Sequence, residues 1–256
     1  MLTEMLLLFT AGFFGGVLNS IAGGGSFITF PALIFAGIPP IIANATNTFS
    51  SCFGYLSGAY AFRKDLLTHK DRLPRFILIG IVGGITGAWL LIQTSESQFR
   101  EVIPWLLLFA TLIFMFGRQL NNKMGQLAIL HKKSSSSWSI LSLLILLVIS
   151  IYGGFFNAGM GIIILGYLAL FGHNDINTMN GIKLLISTSI SLAAITLFIV
   201  NDAIAWYQGT IVLIGTLLGG YVAAHYSRML PQTHIRSFVI IASITITSYF
   251  FYEIYL

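Results

Sequence analysis

Gly15-Gly16-Val17-Leu18-Asn19-Ser20-Ile21-Ala22-Gly23-Gly24-Gly25-Ser26-Phe27 decides how the chain is read. An apolar run over 4–22 breaks at Gly23-Gly24-Gly25-Ser26 and resumes from Phe27 to Gly37. A second break, Asn157-Ala158-Gly159-Met160-Gly161, divides an apolar run over 138–156 from one over Ile162 to Gly172. Glycine clusters of this kind weaken a helix and bare its backbone polar groups. At membrane depth such backbone is tolerated only against protein or in a wet cavity.

The surrounding composition puts both breaks in a membrane. Of 256 residues, 56% are hydrophobic and 8% charged, and the mean hydropathy is +0.89. Soluble domains carry about 25% charged residues. The chain is therefore an integral membrane protein, which excludes a secreted module, a cytosolic enzyme and a disordered regulator. The run from Met5 to Val17 is preceded by Glu4 rather than by a basic residue, so it reads as a retained segment and not as a signal peptide. Cys52, a single cysteine, forms no intrachain disulfide and supplies no metal cluster. No metal or cofactor is expected.

Continuous apolar runs lie near 41–62, 75–93, 102–119, 177–200, 204–225 and 233–252. Each approaches the roughly 20 residues that a hydrocarbon core of about 30 Å requires. All 13 basic residues except Arg100 and Lys183 fall in three loops, 63–75, 118–133 and 225–236. The net charge of +5 is thus a topology signal, not one for nucleic acid. Acidic residues mark the opposite connections, with Glu96 and Glu101 over 94–101 and Asp202 over 201–203. If the three basic loops are all cytoplasmic, the segment 138–172 makes no net crossing and returns as a V.

The halves echo one another. Gly15-Gly16-Val17-Leu18-Asn19-Ser20 matches Gly153-Gly154-Phe155-Phe156-Asn157-Ala158 at an offset of 138. Beyond the breaks the offset becomes 136, and Asn44, Asn47 and Ser51 fall on Asn180, Lys183 and Ser187. Two halves of one V and three crossings each have opposite orientation. The expected fold is an all-α polytopic membrane protein with two inverted four-segment repeats, each opening with a broken V-shaped helix. The first repeat spans 1–120, a cytoplasmic linker 121–137, and the second repeat 138–256. Broken helices in inverted repeats are a transporter architecture.

Lys183 is the principal candidate for chemistry. It stands in an apolar run, where a charge is costly and belongs to a functional interior. The other reading is a lysine that snorkels to the interface. Asn44, Asn47, Thr48 and Ser51 share one helix face, and Asn180, Lys183, Ser187 and Ser191 form the matching stripe. Such stripes either line a path or bond helices together. The half-helices starting at Phe27 and Ile162 present free N–H groups, a ready anion site. Asn19, Asn157, Ser26 and the glycines Gly25 and Gly161 flank them. A donor-rich, cationic cavity without carboxylates suits an anion. Gly23-Gly24-Gly25-Ser26 lacks the lysine of a phosphate loop. His69, His131, His173, His225 and His234 all lie in loops or at span ends, so no serine–histidine pair can be argued.

The paired motifs, with Pro31, Gly37-Ile38-Pro39-Pro40, Ala43-Asn44-Ala45-Thr46-Asn47 and Asn180-Gly181-Ile182-Lys183, resemble the sulfite exporter TauE/SafE family of bacterial membrane transporters. The resemblance covers nearly the whole chain. It implies a multi-pass carrier of eight segments in the cytoplasmic membrane that exports sulfite or organosulfonates. The second break lacks an equivalent of Pro31. The expected function is secondary export of a small sulfur-containing oxyanion by alternating access, and not an enzyme activity. Lys183, Asn19, Asn157, Ser26, Asn47, Ser187, Gly25 and Gly161 would bind the substrate. The expected partners are that anion and the bilayer, with no nucleic acid; oligomeric state is left open. The alternatives are a carrier for another anion or solute and, in a different class, an intramembrane enzyme or structural membrane partner.

Overall fold

The computed structural model describes residues 2–21, 24–66, 71–130, 136–173, 175–226 and 232–256. All regular structure among them is helical: α1 (Leu2–Ile21), α2 (Ser26–Phe35), α3 (Pro40–Ala61), α4 (Arg63–Leu66), α5 (Leu73–Gln93), α6 (Glu96–Leu130), α7 (Ser136–Phe155), α8 (Met160–Leu170), α9 (Ile176–Val200), α10 (Trp206–Tyr226) and α11 (Gln232–Tyr255). Among the described residues, Leu2–Asn19, Leu73–Gln93, Glu96–Gly117 and Ile176–Val200 are long and apolar enough to cross a membrane. Four shorter apolar helices accompany them. The chain is a multi-pass membrane protein. Gly23, His69, Lys70, His131, Lys132, Lys133, Ser134, Ser135 and Arg228 lie outside the described residues. So do the side chains of Arg118, Lys123, Ser136, Ser137, Trp138, His225, His234 and Arg236.

The burial pattern inverts that of a soluble domain. Leu78, Val148, Ile241 and Tyr221 are exposed, while Asn44, Thr46, Asn47, Ser50 and Ser191 are buried. Lipid offers no gain for burying a leucine, so the helices close on small residues and hydrogen bonds instead. In α1, a methyl group at Gly12 or Gly16 would overlap the backbone of Val212 or Thr216 in α10. In α5 and α7, Gly83, Gly84 and Gly87 stand equally close to Ser150, Gly154 and Ile151. These two seams join helices from different halves, and each half contributes its first helix to one seam. The antiparallel pair α3 and α9 crosses at the centre, where Gly58 rests on Leu184 and Gly181 on Phe62. The pair α6 and α11 meets through Thr111 and Thr247, whose hydroxyls are 3.3 Å apart across 136 residues. That separation equals the offset of the sequence echo.

Named contacts sort the helix ends into two layers. At one end, Glu96 accepts from the Ile41 amide, Arg100 pairs with Glu253 at 2.8 Å, and Gln208 donates to Glu4. At the other, Phe76 packs on Tyr167 and Gly181 on Leu66. Gly25 and Thr29 lie back against Gly15 of α1, and α2 runs on to Phe35 beside Phe250 at the first end. These contacts are compatible with the expected V elements and with two halves of opposite orientation. The acidic residues Glu4, Glu96 and Glu253 gather at one end, and Arg63, Arg72 and Arg75 belong to segments that start or finish at the other.

Helix limits differ from expectation around α6. The apolar run suggested 102–119 between two loops, whereas the helix begins at Glu96 and continues to Leu130. Residues 118–130 interleave polar Arg, Gln, Asn and Lys with Leu, Met and Ala, which lowers the hydropathy while good helix formers continue the helix. Pro104 sits in its third turn.

Candidate functional site

Each break places a helix N-terminus inside the bundle without a side-chain cap. α2 starts after Gly25, and no side chain bonds its first amides. α8 starts after Gly159, again with no side-chain cap. Gly159 takes φ 76, a left-handed conformation that costs a residue with Cβ about 1 kcal/mol or more. The chain can therefore reverse into α8 there only cheaply with glycine. Backbone carbonyls accept from some of the first amides, Gly24 from Phe27 and Asn157 from Met160, and each end keeps the positive pole of its helix.

The polar stripe of α3 meets the first break. The Asn47 amide donates to Ser26 Oγ at 3.2 Å, and its Oδ1 accepts from the Thr29 hydroxyl. Asn47 and Ser26 are both buried, at 1% and 6% exposure. Asn19 packs its Cβ beside Gly25. Asn44 reaches across to the other half, donating to the Phe155 carbonyl at 2.9 Å just before the second break.

Lys183 occupies the corresponding place at the second break. Its Nζ donates to Asn180 Oδ1 at 3.0 Å, and its stem passes Gly161 in the first turn of α8. A cation beside a helix N-terminus repels its positive pole. The pair is favourable only when something negative lies between. Ser187 is buried one turn along the same helix.

Tyr55 links the two breaks. Its hydroxyl donates to Asn157 Oδ1 at 2.8 Å, from the same face of α3 whose Asn47 bonds Ser26. Among the described residues, Asn157 Nδ2 and Ser191 Oγ are buried without a hydrogen-bond partner. An orphaned buried donor costs about 1–3 kcal/mol and is rare. Towards the acidic end, Phe30 meets Phe156 edge-on with ring centres 5.5 Å apart, and Phe99 completes the group. All three are 0–1% exposed. Beyond them, a cavity of about 290 Å³ opens between Ile34, Pro39, Ile103 and the Arg100–Glu253 pair.

The candidates therefore fall in two groups. Asn19, Gly25, Ser26 and Asn47 gather at the first break. Asn157, Gly161 and Lys183, with Ser187 a turn beyond the lysine, belong to the second. The groups share Tyr55 rather than a direct Lys183–Asn47 contact. Neither Tyr55 nor Thr29 is among the residues expected from sequence. Tyr55 continues the Asn44, Asn47, Ser51 stripe by one more turn, which is the signal that could have found it.

The comparisons with known proteins agree with one another. The family described as sulfite exporter TauE/SafE matches residues 8–250. The chain is 32% identical over 252 residues to a "Probable membrane transporter protein" of Haemophilus influenzae, covering 97% of this chain and 95% of that protein. It is 29% identical to "Probable membrane transporter protein ORF9" of Sinorhizobium sp, covering 94% and 90%. It is 28% identical to "Probable membrane transporter protein YfcA" of Escherichia coli K12, covering 99% and 92%. No solved structure matches the chain.

Proposed function

Because this chain belongs to the sulfite exporter TauE/SafE family of membrane transporters, we propose that it is a secondary transporter exporting a small sulfur-containing oxyanion, sulfite or an organosulfonate. The observation that carries this is the pairing of Lys183 with an uncapped helix N-terminus at the second break. The unpartnered Asn157 Nδ2 adds a second donor beside that helix end. A small tetrahedral or pyramidal oxyanion has acceptors to match.

In this mechanism the anion enters from the side bearing the basic loops, which is the cytoplasm by the positive-inside rule. Lys183 supplies charge and the amide ends supply hydrogen bonds. The repeats, 1–120 and 138–256, rock against each other around the site. The exchanged seams support an inverted repeat, because each seam becomes the other when the halves are interchanged. A negative interior then drives the anion outward by about 2.3 kcal/mol per charge per 100 mV. The family membership argues against an intramembrane enzyme. The test is sulfite efflux from proteoliposomes of the purified protein under an imposed potential. Efflux that depends on the protein and rises with negative interior potential is expected. Equal leak from protein-free vesicles would refute the proposal.

A further inference from the structure

We propose that Tyr55 is a positioning residue that fixes the amide of Asn157 so that its NH2 group, not its oxygen, faces the transported anion. This rests on the export mechanism above. An asparagine amide has two faces of opposite polarity, and nothing intrinsic selects between them. In this protein the selection comes from across the bundle. The Tyr55 hydroxyl donates to Asn157 Oδ1 at 2.8 Å, which leaves Nδ2 buried and without a partner among the described residues. Asn157 is 2% exposed and stands two residues before the cap of α8. The free donor therefore belongs to the turn that leads into α8, whose Gly161 lies against the Lys183 stem. The single proton of the Tyr55 hydroxyl is directed at Asn157 Oδ1, from the same α3 face whose Asn47 bonds Ser26 at the first break.

If the amide turned over, its oxygen would meet the anion and repel it. Loss of the tyrosine hydroxyl should thus weaken binding more than it slows turnover. Tyr55→Phe keeps the ring and its packing. The expected effect is a rise in KM for sulfite of about tenfold, the scale of one hydrogen bond to a charged group, with Vmax changed by less than about twofold.

The experiment is a double-mutant cycle of Tyr55→Phe and Asn157→Ala, read by sulfite KM in proteoliposomes and by melting temperature in detergent. Asn157→Asp is the third probe, since it keeps the acceptor for Tyr55 and turns the free donor into an oxygen. The proposal expects Tyr55→Phe to add nothing to KM once Asn157 is Ala. It also expects Asn157→Asp to abolish saturable efflux while retaining the melting coupling to Tyr55. Independent, multiplying effects on KM would overturn it, as would an Asn157→Asp protein with normal KM. Should wild-type protein carry no sulfite, the export mechanism falls, and the melting cycle alone then decides the Tyr55–Asn157 link. Additive melting shifts would remove that link whatever the flux.

Discussion

Replacing Lys183 by Met removes the cation and keeps nearly the same stem. The stem matters because it packs over Gly161, where even an added Cβ would stand 3.5 Å from the lysine Cδ. A shorter residue would open a gap there and confuse a packing defect with a charge defect. Methionine fills that space with an unbranched, adaptable chain. The charge effect follows from distance. A unit pair about 4 Å apart at an effective dielectric near 20 is worth about 4 kcal/mol. Lys183 is half-buried rather than sealed, so water screens part of this. A loss of about 2–3 kcal/mol remains, or roughly 30- to 150-fold in kcat/KM for sulfite. The structural cost is small, because the substitution strands only Asn180 Oδ1, which is itself half-buried. Efflux from proteoliposomes gives kcat/KM, and a detergent melting curve on the same preparation gives stability. A Met variant that melts normally and transports sulfite as well as wild type would remove Lys183 from the mechanism.

Other perturbations test the seams, the first break and the topology. A methyl group at Gly154 would stand 2.5 Å from the Gly84 carbonyl oxygen, whereas one at Gly54 would meet nothing nearer than 3.9 Å. Gly154→Ala should therefore lower stability by about 1–3 kcal/mol by overpacking, and Gly54→Ala should leave the melting temperature unchanged or slightly raised. Asn47→Leu removes the amide that donates to Ser26 Oγ, while Thr29 keeps the Gly25 carbonyl as an acceptor. A melting loss of about 1–3 kcal/mol is expected. In a Cys52→Ser background, cysteines replacing Arg72 and Arg228 should react with impermeant reagents from the same, cytoplasmic face of the membrane. Labelling of the two from opposite faces would defeat the returning V. Arg100→Gln breaks an ion pair that is 57% and 32% exposed, so it should cost under about 1 kcal/mol in melting, and less still in high salt.

Much of this was readable from the chain alone, for physical reasons that can be stated. Low charge and long apolar runs leave no alternative to a membrane, and glycine clusters inside such runs locate helix ends with little ambiguity. The buried face of Asn44, Asn47 and Ser51 follows from helical spacing, and these side chains do bond inward. Tyr55 was hidden because an aromatic in an apolar window reads as packing. Its hydroxyl acquires a purpose only from Asn157, a residue 102 positions away. Thr29 was hidden in the same way, since its partner Asn47 sits on another helix. The end of α6 was missed because hydropathy reports a membrane span and says nothing about a polar helix that continues past it. The pairing of α1 with α10 had no local signature either, since glycines along a helix mark a seam without naming its partner.

That last pairing has a consequence for biogenesis. α1 leaves the ribosome long before the surface that receives it, α10, which is specified from Trp206 onward. At ordinary elongation speeds of about 5–20 residues per second, on the order of ten seconds or more passes before that surface exists. Until then the notches at Gly12 and Gly16 lack the Val212 and Thr216 backbone that fills them in the finished bundle. A ribosome that stalls before Trp206 would leave α1 with no groove to enter.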